Sequence, residues 1–199
     1  MLFSKRPVTS TLPIVINNNI ITCSSYCDYL GVQVDNSLSF RGHINNTVSK
    51  IAKHTGILYR IKNNLPINAR LDYYYSFIYP FLTYNVTVWG ATYQSLIDKI
   101  FIQQKRTVRL IADLNYNEHT SKAIRDLKLL KFFDINRYHC AIYMFKNHGS
   151  PRFQTSHSLN TRNNNLLRAS FNRLSLCQHS IGFQEPHIWN NVPLNIYRI

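Results

Sequence analysis

The chain has 199 residues, 45% of them hydrophobic, enough to bury a core in one domain or in one domain with a small appendage. Its 23 Lys and Arg against 9 Asp and Glu give a formal charge of +14, which favours a polyanionic partner, nucleic acid ahead of a membrane surface. No apolar run reaches the roughly 18 residues of a spanning helix, and Met1-Leu2-Phe3-Ser4-Lys5-Arg6-Pro7 lacks a signal-peptide apolar region, so a membrane partner and secretion are not expected.

The first 35 or so residues read as strands. Ile14-Val15-Ile16 and Ile20-Ile21 flank Asn17-Asn18-Asn19, and asparagine tolerates positive φ, so a tight hairpin is predicted there. Tyr29 to Val34 reads as a further strand, with Gly31 marking a bulge or a close backbone approach. The period then becomes helical. Ile44, Val48, Ile51, Thr55, Leu58 and Ile61 fall on one stripe, interleaved with Lys50, Lys53, Arg60 and Lys62, which predicts a basic amphipathic helix over 44–62. Asn63-Asn64-Leu65-Pro66 ends it. A second run carries Leu71, Tyr75, Ile78, Leu82 and Val86, with a kink predicted at Pro80 and a stop at Gly90. A third helix is predicted over 93–112, capped by Thr92, with Leu96, Ile100, Gln103, Thr107 and Ile111 inward and Lys99, Lys105, Arg106 and Arg109 as its basic flank. Asp113 to His119 reads as a loop, followed by helices at about 120–130 and 135–147, the second capped by Asp134. Residues 149–165, rich in Ser, Asn and Arg, read as a linker, and 166–199, around Phe171, Phe183 and Trp189, as irregular or short-stranded.

Residues that could carry chemistry are dispersed. Two-metal phosphoryl transfer needs clustered carboxylates holding ions about 3.5–4 Å apart. No Asp-Asp or Asp-x-Asp pair occurs, and Asp28 and Asp35 should project at opposite ends of one strand. Cys23-x-x-x-Cys27 and Cys177-Gln178-His179 are halves of zinc-like spacings without a closing half. The four cysteines, Cys23, Cys27, Cys140 and Cys177, are scattered in a chain too long to need stapling, and read as reduced thiols of an intracellular protein. Asn45-Asn46-Thr47 and Asn85-Val86-Thr87 match the glycosylation pattern by chance on that reading. The histidines form no pattern with Ser or Cys, and no Gly-rich phosphate loop is present. Tyr73-Tyr74-Tyr75, Phe77, Tyr79, Phe81 and Tyr84 could stack on bases, but packing a core is the stronger reading of so dense a cluster. The basic flanks of helices 44–62 and 93–112 can grip phosphates without reading sequence.

Tyr29-Leu30-Gly31-Val32, Leu38-Ser39-Phe40 with His43-Ile44, Ile78-Tyr79-Pro80-Phe81-Leu82-Thr83-Tyr84, Val88-Trp89-Gly90 and Gln103-Gln104-Lys105-Arg106-Thr107-Val108-Arg109-Leu110-Ile111 occur in an order that resembles the C-terminal palm and thumb portion of a non-LTR (LINE-type) retrotransposon reverse transcriptase. Leu2-Phe3-Ser4 with Lys5 looks like the end of that palm, and Asn160-Thr161-Arg162 and Trp189-Asn190-Asn191-Val192-Pro193 are similar to the family's tail. The resemblance implies an α+β fold, mostly helical: residual palm strands over 1–36 with a primer-grip-like element, a helical thumb-like domain over 37–148, a linker over 149–165 and an appendage over 166–199. It implies duplex contacts at Tyr29, Leu30 and Gly31, where a glycine lets the backbone approach a ribose-phosphate, and at Lys50, Lys53, Arg60, Lys105, Arg106 and Arg109. The expected partners are an RNA–DNA hybrid or other duplex and the missing polymerase portions. No cofactor is expected in this chain, because Mg2+ would belong to the missing active site, and the chain by itself is expected to be catalytically inactive. The alternatives are a domesticated basic nucleic-acid-binding protein and a structural relic of a transposon. Neither the oligomeric state nor nucleus against cytoplasm is specified by the sequence.

Overall fold

The computed structural model describes residues 14–17, 19–21, 24–147, 167, 172–173, 175–178 and 180–191. Within them the chain is a mostly helical α+β structure with two antiparallel strand pairs. β1 (Ile14–Ile16) pairs with β2 (Asn19–Ile21), Val15 opposite Ile20, and Asn17 turns the chain at φ 48°, as the asparagine run predicts. The leading and tail segments of the family resemblance, Leu2 to Lys5, Asn160 to Arg162 and Val192-Pro193, lie outside the described residues, as does the expected linker.

The strand expected from Tyr29 to Val34 is instead the tip of a second hairpin. β3 (Tyr26–Tyr29) pairs with β4 (Val32–Asp35), and Leu30 and Gly31 both take positive φ, 47° and 76°, as a two-residue hairpin turn requires. The reversal puts Asp28 opposite Gln33 and Asp35 opposite Tyr26, so the two carboxylates sit on neighbouring strands and not at the ends of one. Asp35 then organises the approach to the first helix. Its carboxylate accepts from the Ser37, Ser39 and Phe40 amides at 3.0, 3.0 and 2.7 Å and from the Ser37 and Ser39 hydroxyls. Burial alone would raise its pKa, but these donors hold it below the ordinary 3.8.

α1 (Arg41–Ile61) buries Ile44, Ile51 and Leu58 of the predicted stripe, with Val48, Thr55 and Ile61 half-buried at its margin, and buries Thr47 as well, which the predicted stripe did not include. A 3-10 turn (Lys62–Asn64) and Pro66 separate it from α2 (Ile67–Tyr73). A π-helical turn (Tyr74–Ile78), α3 (Tyr79–Thr83) and α4 (Val86–Trp89) follow. Pro80 has no N–H to give to the preceding turn, and the widened π turn directly before it accommodates that missing donor. The widening shifts the phase, so Tyr74 is buried in place of the expected Tyr75, which stays exposed. Gly90 follows α4 as its C-cap, and close approach favours glycine there: a Cβ would lie 2.4 Å from the Val86 carbonyl oxygen and 2.8 Å from Asn136 Oδ1.

α5 (Gln94–Ile111) buries Leu96, Ile97, Ile100, Gln103, Gln104, Thr107, Val108 and Ile111, including every residue predicted to face inward. Thr92 is not its cap. The Thr92 hydroxyl donates to the Ser39 carbonyl at 2.9 Å, and Tyr93 holds the cap position. α6 (Ser121–Asp126) and α7 (Phe132–Asn147) follow, and Asp134 lies inside the first turn of α7 rather than capping it, the Lys131 carbonyl accepting from the Asp134 and Ile135 amides. The segment expected to be irregular contains α8 (Ser175–Gln178) and α9 (Ile181–Asn190), the latter tolerating Pro186. α9 packs on α7, with Trp189, Met144 and Leu167 as a small second cluster. There the buried Cys140 thiol is pushed up to about 11 by burial and by Glu185.

The main core joins β4 to α7 through Trp89, which is 0% exposed, stacked on Phe132 at 5.5 Å with His43 at 5.4 Å. A buried polar bridge crosses it: Gln104 Nε2 donates to the Tyr74 hydroxyl at 3.0 Å and the Leu130 carbonyl at 2.8 Å, while its Oε1 accepts from the Phe132 amide at 2.9 Å. With those bonds made, a glutamine can be buried at little cost.

Candidate nucleic-acid interface

α1 and α5 pack side by side and run in the same direction. Lys99 Nζ donates to Asn45 Oδ1 at 3.3 Å, the Thr55 and Thr107 hydroxyls meet at 2.9 Å, and Lys62 reaches Asp113 at 3.2 Å, three contacts that advance together along both helices. Since both apolar faces turn into the core, the basic residues between them stand outward. On α1, Asn46, Lys50, Lys53, Ile57 and Arg60 are exposed at helical intervals along one stripe. On α5, Lys99, Ile102 and Arg106 form a second exposed stripe, extended by the half-buried Arg109.

The six basic residues singled out in the sequence do not form one patch. Lys50 leans towards α3, its Nζ 5.8 Å from the Phe81 ring centroid. Lys105 lies off the α5 stripe, 4.9 Å over Phe101, which itself meets Phe133 of α7. Arg109 donates from Nε to the Glu118 carbonyl at 3.2 Å and lies over Tyr116, so it also shapes the loop after α5. Lys53, Arg60 and Arg106 are exposed.

Tyr29, Leu30 and Gly31 occupy the exposed tip of the second hairpin. The tip is tied down: the Tyr84 hydroxyl donates to the Leu30 carbonyl at 2.6 Å, and Trp89 Nε1 in turn donates to the Tyr84 carbonyl at 2.9 Å. A Cβ on Gly31 would find only ordinary contact with the Tyr84 ring, at 3.5 Å, so space does not demand glycine here; the positive φ does.

Arg70 went unrecognised in the sequence. It is 7% exposed, donating from Nε to the Leu65 carbonyl at 2.9 Å and from Nη1 to the Leu110 and Ile111 carbonyls at 3.3 and 3.2 Å, and pairing with Asp113 at 2.5 Å. Those two carbonyls end α5 and have no partner within the helix. Asp113 takes the left-handed position after α5, φ 50°, and the Leu114 amide closes back on the Arg109 carbonyl at 2.9 Å, a terminating turn that usually uses glycine. The Arg70 hydrogen bond, aided by Lys62, holds the Asp113 carboxyl below its ordinary range. No local pattern signals the link to the end of α5, because Leu110, Ile111 and Asp113 lie 40 or more residues from Arg70.

The aromatic segment divides. Tyr74 is core, whereas Tyr75, Phe77 and Tyr84 are exposed and Tyr73, Tyr79 and Phe81 half-buried. Core packing therefore accounts for part of it only.

The described residues do not fit a metal ion: no group of three or more His, Cys, Asp or Glu among them could hold one, and both Asp35 oxygens are engaged by Ser37, Ser39 and Phe40. Cys27, Cys140 and Cys177 are free thiols, while Cys23 and His179 lie outside the described residues. Among the described residues no helix is long and apolar enough to cross a membrane.

No protein-family model and no solved structure matches the chain. Curated proteins do. The RNA-directed DNA polymerase from mobile element jockey of Drosophila melanogaster is 30% identical over 123 residues, 60% of this chain and 13% of its own length. The probable RNA-directed DNA polymerases from transposon X-element and transposon BS, from the same fly, are 28% and 26% identical over 135 and 159 residues, 66% and 78% of this chain and 15% and 17% of theirs. The chain thus spans 13–17% of the length of these relatives. A folded, basic, mostly helical segment aligned at this level bears out the resemblance seen in its motifs: the relatives of this chain are the RNA-directed DNA polymerases of non-LTR retrotransposons, and it is similar to one segment of them.

Proposed function

We propose that the chain is a binding segment of this polymerase lineage that holds a template–primer duplex, an RNA–DNA hybrid, by its phosphates and does not read sequence. The observation that carries the reading is the α1–α5 pair: two helices running the same way, apolar faces buried, with Lys50, Lys53 and Arg60 outward on one and Lys99 and Arg106 outward on the other, where Arg109 is half-buried. Lysines and arginines on a rigid surface position a nucleic-acid backbone through charge and release its counterions. Such shape-based contact suits a hybrid, whose geometry approaches A-form. Tyr29, Leu30 and Gly31 complete the surface as a second backbone contact, a hairpin tip braced by Tyr84. On this reading residues 37–148 act as the thumb-like unit and 1–36 as strands that meet the other polymerase portions. Nucleotide transfer needs clustered carboxylates around its metal ions, and this reading assigns the chain binding and no step of that transfer.

The test is fluorescence anisotropy of a labelled blunt RNA–DNA hybrid across a salt series. The reading expects log affinity to fall linearly with log salt, with several phosphates neutralised, and the hybrid to be held more tightly than a single strand of equal length. Weak, equal binding to hybrid, single strand and heparin would overturn it.

A further inference from the structure

Beside the basic stripe of α1 lies a string of rings that the core absorbs only in part: Tyr73 and Phe81 pack against it, while Phe77 stays exposed. Tyr73, Phe77 and Phe81 follow one another at intervals of four on the elements α2, π turn and α3, and His54 of α1 closes onto them. Tyr73 and Phe77 centroids are 4.8 Å apart, His54 stacks on Phe77 at 5.7 Å with 18° between planes, and His54 meets Phe81 at 5.6 Å. The His54 ring is oriented by its Nδ1, 3.2 Å from the Tyr73 hydroxyl. Phe77 is 49% exposed at the centre of this string. Lys50 stands at its edge over Phe81, and Lys53 lies one turn along the same α1 stripe.

Only His54 and Phe77 lie near parallel, at 18°, while Tyr73 and Phe81 are tilted by 37° to their neighbours, so the half-exposed Phe77 is the ring that offers a face. An exposed ring face beside lysines is a combination that binds unpaired nucleotides: the ring stacks on a base and the lysines meet the phosphates. A duplex cannot use such faces, because its bases already stack on each other. An apolar protein partner would gain nothing from the two lysines at the margin, whereas a polyanion matches them and the +14 charge of the chain.

We infer that the Tyr73–Phe77–His54–Phe81 ring string, with Lys50 and Lys53, is a stacking platform for a single-stranded nucleic-acid segment flanking the bound duplex. This rests in part on the duplex reading above, since it places the unpaired segment next to the α1 stripe. The platform predicts that the chain prefers a duplex carrying an unpaired extension, and that the bases of the extension matter, not only its phosphates.

The experiment compares three labelled substrates by anisotropy with the full 199-residue chain: a blunt RNA–DNA hybrid, the same hybrid with a single-stranded extension, and one whose extension is abasic. Stacking of one or two bases should make the extended hybrid bind at least about fivefold more tightly than the abasic one. Phe77→Leu, which keeps apolar bulk but removes the ring face, should abolish that ratio and leave blunt-hybrid affinity unchanged, and Phe77→Tyr should restore it. Equal affinity for normal and abasic extensions, with blunt binding intact, overturns the platform and leaves the duplex reading standing. Base-dependent binding of the extension without affinity for the blunt hybrid supports the platform and overturns the duplex reading. No binding to any of the three overturns both.

Discussion

Arg70 Nη1 and Asp113 Oδ2 meet at 2.5 Å across the end of α5, joining α2 to the turn that stops the helix. The two partners are unequal. The Arg70 side chain is 9% exposed and satisfies three backbone carbonyls, whereas that of Asp113 is 52% exposed. Losing the arginine leaves carbonyls without donors, which costs about 1–3 kcal/mol per buried group, while a solvent-screened ion pair contributes about 0–1 kcal/mol. Arg70→Met should therefore destabilise by about 2–3 kcal/mol and Asp113→Asn by less than about 1 kcal/mol. Urea midpoints followed by circular dichroism measure both. Equal losses would place the energy in the ion pair and not in the capped carbonyls.

Trp89 is fully enclosed, stacked on Phe132 and hydrogen-bonded to the Tyr84 carbonyl. Trp89→Ala should cost about 3–5 kcal/mol, the usual range for a deleted core aromatic. Trp89→Phe keeps most of the volume but leaves the Tyr84 carbonyl unpaired, for about 1–2 kcal/mol. Both losses are read as shifts of the denaturant midpoint. A shift near zero for the alanine variant would contradict the packing described.

Two histidines should make stability fall in mild acid. His43 is held below its ordinary 6.5 by burial and then by Lys50, with Asp28 opposing, and His139 by burial, its Nε2 having no hydrogen-bond partner among the described residues. A depressed histidine binds protons more readily in the unfolded chain, so its contribution is complete above about pH 6.5 and declines as pH drops below that value. Asp35 acts lower: its depressed pKa contributes stability above the ordinary 3.8 and loses it as pH falls through the folded value. Melting temperatures should be flat from pH 8 to about 6.5 and decline towards pH 5 before any Asp35 effect. His43→Gln should flatten that decline whatever it does to the melting temperature at pH 8. An unchanged slope would remove His43 from the account.

The basic stripes separate in a salt titration. Lys53 and Arg60 are exposed, so Lys53→Glu with Arg60→Glu should weaken hybrid binding and reduce the salt slope by about 2 without altering the melt. Lys105→Glu with Arg109→Glu is expected from the sequence to weaken binding and leave the fold intact. In the structure Arg109 also holds the Glu118 carbonyl, so this pair should lower stability as well, by about 1 kcal/mol. Anisotropy and thermal melts on the same samples check both pairs. An unchanged salt slope for the first pair would take the α1 stripe out of the interface.

The faces of α1 and α5 were legible in the sequence because helical periodicity is local: Ile44, Ile51 and Leu58, and Leu96, Ile100 and Ile111, fall inward wherever the helices end up. The Asn17 turn was legible for the same reason. What escaped was positions where a residue adopts a conformation its type does not advertise. Leu30 joins Gly31 in a positive-φ turn, and Lys128 takes a left-handed position after α6 where glycine would have announced the stop; the end of α5 was legible as a loop from Asp113, but not the left-handed turn that makes it. The π turn before Pro80 moves burial from Tyr75 to Tyr74, a shift of one residue that a regular helical period cannot represent.

The sequence by itself determined that this chain is basic, mostly helical and carries two amphipathic helices with charged flanks, since composition and period depend only on neighbouring residues. The tertiary structure alone decided which of those charges share a surface. Lys53 and Arg60 are exposed, Lys105 turns to Phe101, Arg109 to the Glu118 loop, Lys50 to Phe81, and Phe77 escapes burial beside His54. The reason is that a helix fixes the spacing of its own side chains, whereas the direction and depth at which α1 meets α5 are set by contacts such as Thr55 with Thr107 and Asn45 with Lys99, more than 50 residues apart in the chain.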